Sequence, residues 1–165
     1  MKQDMQEARF MEAFSLYGDA IYRFCVVKVS NKELAEDMTQ EVFMRYWQYL
    51  RDGKELTHPR ALLYTIAHNL AKDWYKRKKA ISLDDRLADG HEPPTTDNDA
   101  ELLAEYEEVL TAMQELEEKD REVLVLRYLE GLSPKEIGTI LNETANVVSV
   151  RLNRATKRLR LTLRI

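Results

Sequence analysis

Residues 116–163 constrain the fold more than any other stretch, because they spell out two helices, the turn between them and the signals that start and stop each one. Ser133-Pro134-Lys135-Glu136 opens the first helix. Ser133 supplies a capping oxygen, Pro134 takes the position whose N–H needs no partner, and Glu136 reaches back to close a capping box. Gly131 ends the helix before it. Ile137, Ile140 and Leu141 mark one buried stripe, and Gly138 leaves room for a neighbouring helix to approach. Asn142-Glu143-Thr144 is then a turn, with Thr144 as the next cap. The following helix carries Val148, Leu152, Ala155 and Leu159 inward and Arg151, Arg154, Lys157, Arg158, Arg160 and Arg164 outward, with no acidic residue after Glu143. Basic side chains also suit the negative end of a helix dipole, so a solvated charged face accounts for part of this pattern. A capped short helix, a tight turn and a longer basic helix in succession are nevertheless the grammar of a helix-turn-helix whose second helix enters a DNA groove.

At 165 residues, 44% apolar and 33% charged, the chain has room for one domain or two small ones and the composition of a soluble globular protein. Its longest apolar run falls far short of a membrane span, and its first residues lack the apolar core of a secretory signal, so no membrane insertion is expected. Cys25 is alone, which excludes an internal disulfide and a cysteine-based zinc site and fits a reducing cytoplasm. Five glycines, four prolines and few alternating β-branched runs make the chain all-α. A net charge of −4 argues against a protein that coats DNA nonspecifically, although the distribution of charge matters more than its sum.

From the N-terminus, residues 5–16 form an amphipathic segment with Phe10 and Phe14 four apart. Gly18-Asp19 interrupts it before Ile21, Phe24, Cys25 and Lys28 carry a second, and both segments read as core packing. Ser30-Asn31 is a stop and a cap, after which residues 32–50 place Leu34, Met38, Val42, Arg45, Tyr46 and Tyr49 on one side. The polar side gathers Glu36, Asp37, Gln40 and Glu41, a cluster suited to docking on a basic protein surface, though most such clusters are simply solvated. Residues 51–57 form a polar loop turning at Gly53, and His58-Pro59 starts a long helix with Leu62, Leu63, Ile66, Ala67, Leu70 and Trp74 on one face. Tyr64, His68, Asn69, Ala71, Lys72 and Tyr75 fall on its other sides. It ends in Lys76-Arg77-Lys78-Lys79, and a basic cluster beside aromatics can neutralise phosphates and stack on unpaired bases. From Ile81 to Asp99 six carboxylates face a single Arg86, with Gly90 and Pro93-Pro94 breaking any pattern, so residues 81–100 read as a flexible acidic linker. Leu103, Tyr106, Leu110 and Met113 then resume helical spacing, which gives two small helical domains, residues 1–80 and 101–165, with the helix-turn-helix in the second.

These residues converge on one family. Over essentially its full length the chain resembles the small bacterial sigma factors of the extracytoplasmic-function group. Ala35-Glu36-Asp37-Met38-Thr39-Gln40-Glu41-Val42-Phe43 resembles that family's polymerase-binding helix, and Pro59-Arg60-Ala61-Leu62-Leu63-Tyr64-Thr65-Ile66-Ala67-His68-Asn69 its promoter-melting helix. Glu122-Val123-Leu124, Arg127-Tyr128-Leu129-Glu130-Gly131-Leu132-Ser133 and Glu136-Ile137 resemble the start of its second DNA-binding domain, and Arg151-Leu152-Asn153-Arg154-Ala155 its recognition helix.

The resemblance implies a protein without catalytic residues, cofactor or metal that recruits core RNA polymerase to promoters. Glu36, Asp37, Gln40 and Glu41 would dock on the coiled coil of the β′ subunit. Asn69 and the loop of residues 51–58 would capture flipped bases of the melted downstream element, where contacts must offset the unstacking cost. Lys72, Tyr75, Lys76, Arg77, Lys78 and Lys79 would hold the adjoining DNA, and the acidic linker would thread the polymerase. Ser149, Arg151, Asn153, Arg154, Lys157 and Arg158 would meet the upstream element, Arg154 by a bidentate guanine contact. Here the chain departs from the common family pattern, with Ser149-Val150 where a basic residue and serine are usual and Val147-Val148 for threonine-valine. Implied partners are the β′ and β subunits of core polymerase, promoter DNA and an inhibitory anti-sigma protein.

Three other functions are compatible with parts of the pattern. A sigma-fold mimic that sequesters a regulator would have no use for the basic clusters at 76–79 and 151–158. A self-sufficient helix-turn-helix regulator would leave the acidic helix and the long third helix without work. An enzyme would need chemistry that His58, His68 and His91, in unrelated contexts and without a glycine-rich phosphate loop, do not supply.

Overall fold

In the computed structural model, which describes residues 1–82, 107–109 and 111–165, capping residues set the register of one helix after another. The chain divides into two compact units, Met1–Pro94 and Thr95–Ile165. In the first, α1 (Lys2–Val29) stops at Ser30, whose φ of 51° is left-handed, and α2 (Lys32–Arg51) starts at Asn31, whose side chain accepts from the Leu34 N–H at 3.0 Å. After a loop that turns at Gly53 (φ 71°), α3 (Pro59–Ser82) closes a three-helix unit in which each helix touches both others. Its core joins Ile21, Phe24 and Cys25 of α1, Val42 and Tyr46 of α2, and Leu63, Tyr64 and Ala67 of α3.

Four expectations for this unit need correction. α1 runs unbroken through Gly18, because an interior glycine costs only about 1 kcal/mol and the buried stripe from Ala13 to Val29 outweighs it. The first half of α1 is also less buried than its pattern suggests: Met5, Met11, Phe14 and Leu16 are exposed, while Phe10 packs edge-on to Phe43 and Trp47. Tyr64 and Ala71 of α3 lie in the core, whereas Leu62, Ile66 and Trp74 are only half-buried. α3 packs on two helices rather than one, so its buried face turns toward Tyr64, whose ring meets Phe24 edge-on at 5.6 Å. On α2, Arg45 is exposed, and Ala35, Phe43 and Leu50 complete the buried stripe.

The expected linker falls largely outside the described residues, as do Leu103, Tyr106 and Leu110. In the second unit residues 107–109 and 111–114 are helical. Arg121 then donates to the Met113, Gln114 and Leu116 carbonyls at 3.0, 3.3 and 3.1 Å, satisfying groups that a helix end leaves open. α4 (Glu118–Leu124) continues into a π-helical turn, Val125–Leu129, that the sequence pattern does not announce. Gly131 (φ 69°) reverses the chain, and α5 (Pro134–Leu141) and α6 (Ala145–Leu163) follow as expected. Ser133 accepts from the Glu136 N–H and donates to its carboxylate, both at 3.2 Å, and Thr144 accepts from the Val147 N–H at 3.2 Å. Gly138 makes room for the chain's own turn rather than for another helix, since a Cβ there would stand 2.5 Å from the Glu143 carbonyl oxygen.

Candidate nucleic-acid and protein-docking surfaces

The register fixed by Asn31 turns Ala35, Met38, Val42, Phe43, Tyr46 and Leu50 inward and leaves Glu36, Asp37 and Gln40 exposed together on the opposite side of α2. Glu41 stands apart from them: it is half-buried, and its carboxylate takes the Arg45 Nε–H at 2.9 Å. Two residues that acid-cluster reasoning passes over share this face. Met44 is exposed and lies one turn beyond Gln40, and Trp47 lies half-buried at the edge of the face, against Phe10. Helical spacing counted from Gln40 would have found both.

On α3 the geometry sorts the expected DNA-facing groups. Asn69, Lys72, Lys76 and Lys79 are exposed and fall at i, i+3, i+7 and i+10, so they form one stripe. Arg77 is exposed on a different side, and Lys78 lays its ammonium 5.0 Å from the Trp74 ring centre. Tyr75 is half-buried, its ring against Trp74 at 4.8 Å, and its hydroxyl donates to the Lys28 carbonyl of α1. The loop after α2 is pinned by the Tyr49 hydroxyl donating to the Glu55 carbonyl at 2.9 Å, and the last turn of α2 is tied to α1 by Gln6 donating to the Leu50 carbonyl at 2.7 Å. Beside it a recess of about 140 Å³ is lined by Lys2, Arg9 and Lys54 with Met5, Gln6, Leu50 and Gly53. This basic recess joins the helix-1 terminus to the loop, a pairing no local motif reveals.

In the second unit α5 packs on α6 and the turn between them is locked from within. Ser149, Asn153, Arg154 and Lys157 are exposed on α6. The guanidinium of Arg151 is instead held by Glu143, with Nη2 donating to Oε1 at 2.8 Å and Nη1 2.8 Å from Oε2 without hydrogen-bond alignment. Arg158 donates to the buried carboxylate of Asp120 on α4. Two of the six expected upstream contacts therefore already have partners inside the unit. Among the described residues no group of His, Cys, Asp and Glu is arranged to hold a metal ion, and no helix is long and apolar enough to cross a membrane. Burial pushes the Cys25 thiol pKa up to about 11, against a smaller opposing pull from the Thr39 hydroxyl.

The comparisons with known proteins follow this division. The family model for sigma-70 region 2 matches residues 13–81, and that for sigma-70, region 4 matches residues 106–159. The ECF RNA polymerase sigma factor SigM of Bacillus subtilis is 35% identical over 152 residues, covering 90% of this chain and 91% of that protein. SigW of the same organism is 32% identical over 176 residues, covering 99% and 93%. Among solved structures, the sigma factor RpoE of Bartonella quintana, in complex with the anti-sigma factor NepR, has the same fold, with a TM-score of 0.78 at 22% identity over 95% of this chain and 98% of that one. CnrH in complex with the cytosolic domain of CnrY gives 0.68 at 24% identity, over 95% of this chain and 88% of that one. With both domain types in order and a relative this similar along nearly its whole length, the chain belongs to the ECF RNA polymerase sigma factors.

Proposed function

We propose that the protein is an alternative sigma factor that recruits core RNA polymerase to a specific set of promoters in the cytoplasm, the polymerase itself performing the chemistry. The observation that carries this reading is the pairing of two exposed surfaces of opposite character: the acidic face of α2 in one unit and the basic helix-turn-helix in the other. Glu36, Asp37 and Gln40, with Glu41 held by Arg45 at their edge, dock on the β′ subunit, and a basic helical surface is the complement such a face requires. Residues 1–80 thus serve polymerase binding and melting, residues 101–165 serve upstream recognition and the β subunit, and residues 81–100 join them.

The stripe Asn69, Lys72, Lys76 and Lys79 follows the downstream element, Asn69 and the loop at 51–58 taking extruded bases and the lysines taking phosphates. Tyr75 fixes the stripe's attitude through α1, and Arg77 and Lys78 flank it. On α6, Arg154, Asn153 and Ser149 face base edges and Lys157 the backbone, while Arg151 and Arg158 brace the helix that presents them. The RpoE structure was solved with the anti-sigma factor NepR, and an inhibitory protein covering the same surfaces would compete with polymerase and release this factor by mass action. Run-off transcription with core polymerase tests the proposal. Transcripts from a discrete promoter set are expected, and folded protein that yields none above core alone overturns it.

A further inference from the structure

Val147 and Val150 are each 44% exposed, on a helix whose opposite side buries Val148, Leu152 and Ala155. Isolated surface apolar residues need no explanation. These two, however, stand one turn apart in the first half of α6, the second helix of the helix-turn-helix, and both lie outside the buried core of the described residues. β-Branched residues are weaker helix formers than the lysine or glutamate an exposed position usually carries, and their methyl groups remain in water.

Their neighbours indicate what covers them. At about 100° per residue, Val147, Val150 and Arg154 fall in line at i, i+3 and i+7, and Asn146, Val150, Asn153 and Lys157 at i, i+4, i+7 and i+11, all of them exposed. Val150 thus has two amides and a guanidinium about one turn away, with an ammonium a further turn along. Amides are the bidentate partners of adenine and guanidinium of guanine, and thymine alone among the bases presents a methyl group in the major groove. The N-terminal half of the second helix is also the part that meets base edges when such a motif docks. A valine in a helix holds one χ1 rotamer, so these methyls are offered at fixed positions.

We infer that Val147 and Val150 read thymine C5-methyl groups, so that the upstream element of this factor carries thymines where the first two turns of α6 land. The inference rests on the promoter-reading function proposed above. Its test begins by selecting upstream elements from a random duplex library with the holoenzyme assembled from the full chain. Each thymine of the selected element is then replaced singly by deoxyuridine, which removes the methyl and nothing else. Binding is expected to weaken about fourfold at one or two neighbouring positions, the size of one buried methyl group. Val147→Ala and Val150→Ala, at exposed positions, are expected to keep their helical content and lose that discrimination at one position each. Thymine and deoxyuridine bound equally at every position, or discrimination that survives both substitutions, overturns the inference alone and reassigns the valines to a protein partner. Failure to enrich any sequence overturns the promoter-reading function and the inference with it.

Discussion

Glu143 and Arg151 are locked together across the turn of the helix-turn-helix, Arg151 Nη2 donating to Glu143 Oε1 at 2.8 Å with both side chains mostly buried. The pair ties the turn to the second turn of α6 and so fixes where that helix begins. It also separates two arginines that look alike in the sequence. Arg151 braces, whereas Arg154, three residues on, is exposed.

Arg151→Ala is therefore expected to lower stability by about 1.5–3 kcal/mol, the range for a hydrogen bond to a charged group, and to weaken promoter binding with it. Arg154→Ala should leave stability within about 0.5 kcal/mol of the parent while costing about 1–3 kcal/mol in discrimination at one base pair. Urea denaturation beside a promoter panel separates the two. If Arg154→Ala unfolds as readily as Arg151→Ala, the division is wrong.

The glycines give a second contrast. At Gly138 a Cβ would stand 2.5 Å from the Glu143 carbonyl oxygen, backbone that cannot yield without opening the turn. At Gly18 nothing lies within 4 Å of the same atom. Gly138→Ala is expected to destabilise by about 1–3 kcal/mol through overpacking. Gly18→Ala should stabilise by about 0.4–1 kcal/mol by reducing the freedom of the unfolded chain. Thermal melts of both variants check the signs.

How much of this was legible follows from the range of each interaction. Ser30-Asn31, Ser133 and Thr144 act within four residues of themselves, and the helix boundaries they set are readable as local chemistry. The acidic side of α2 is readable for the same reason. Gly18 misleads because a local penalty is outweighed by burial at Ile21, Phe24 and Cys25, which depends on helices not yet placed. Arg158 shows a limit of another kind: its partner Asp120 is 38 residues away, and nothing in the spacing of basic residues on α6 announces that pair. The same holds for Tyr75, whose hydroxyl is taken by Lys28 of another helix. Long-range partners thus decide which charges of a basic cluster are free, and the sequence supplies only the cluster.

Cys25 gives a stability test. Its thiol is fully buried, and desolvation pushes its pKa up to about 11 from an ordinary value of 9.0. The native state therefore favours the neutral thiol. That contribution is whole below pH 9 and is lost as pH rises through 11, an effect of roughly 3 kcal/mol in full. Between pH 8 and pH 11 the parent is expected to lose more stability than Cys25→Ala, which has no such proton to release. Parallel curves for the two proteins in denaturant titrations would contradict this.

On the acidic face, Asp37→Ala with Gln40→Ala is expected to weaken binding to core polymerase without changing helical content, since both groups are exposed on a well-packed helix. Glu41→Ala should cost less, because its carboxylate already serves Arg45, and an exposed pair of that kind contributes under about 1 kcal/mol to stability. Fluorescence titration against core polymerase ranks the variants, and a Glu41 effect as large as the double substitution would show that the ion pair opens on docking.

The end of α3 makes the last distinction. Lys76 and Lys79 share the exposed stripe of Asn69 and Lys72, whereas the Lys78 ammonium rests 5.0 Å from the centre of the Trp74 ring. A cation held over an aromatic face is attracted to the ring and directed by it. Lys76 is free to release a counterion when a phosphate arrives, and each phosphate neutralised adds close to one unit to the slope of log affinity against log salt. Replacing Lys76 with alanine in the holoenzyme is therefore expected to lower that slope by about 1 and to weaken all promoters alike, because a phosphate contact carries no sequence information. Lys78→Ala should change the slope by less than half as much, its main effect being the uncovering of Trp74. Filter binding across a range of salt concentrations on two unrelated promoters reads both quantities at once. Equal slopes for the two variants would mean that Lys78 leaves the ring when DNA is bound and that the stripe extends around the helix.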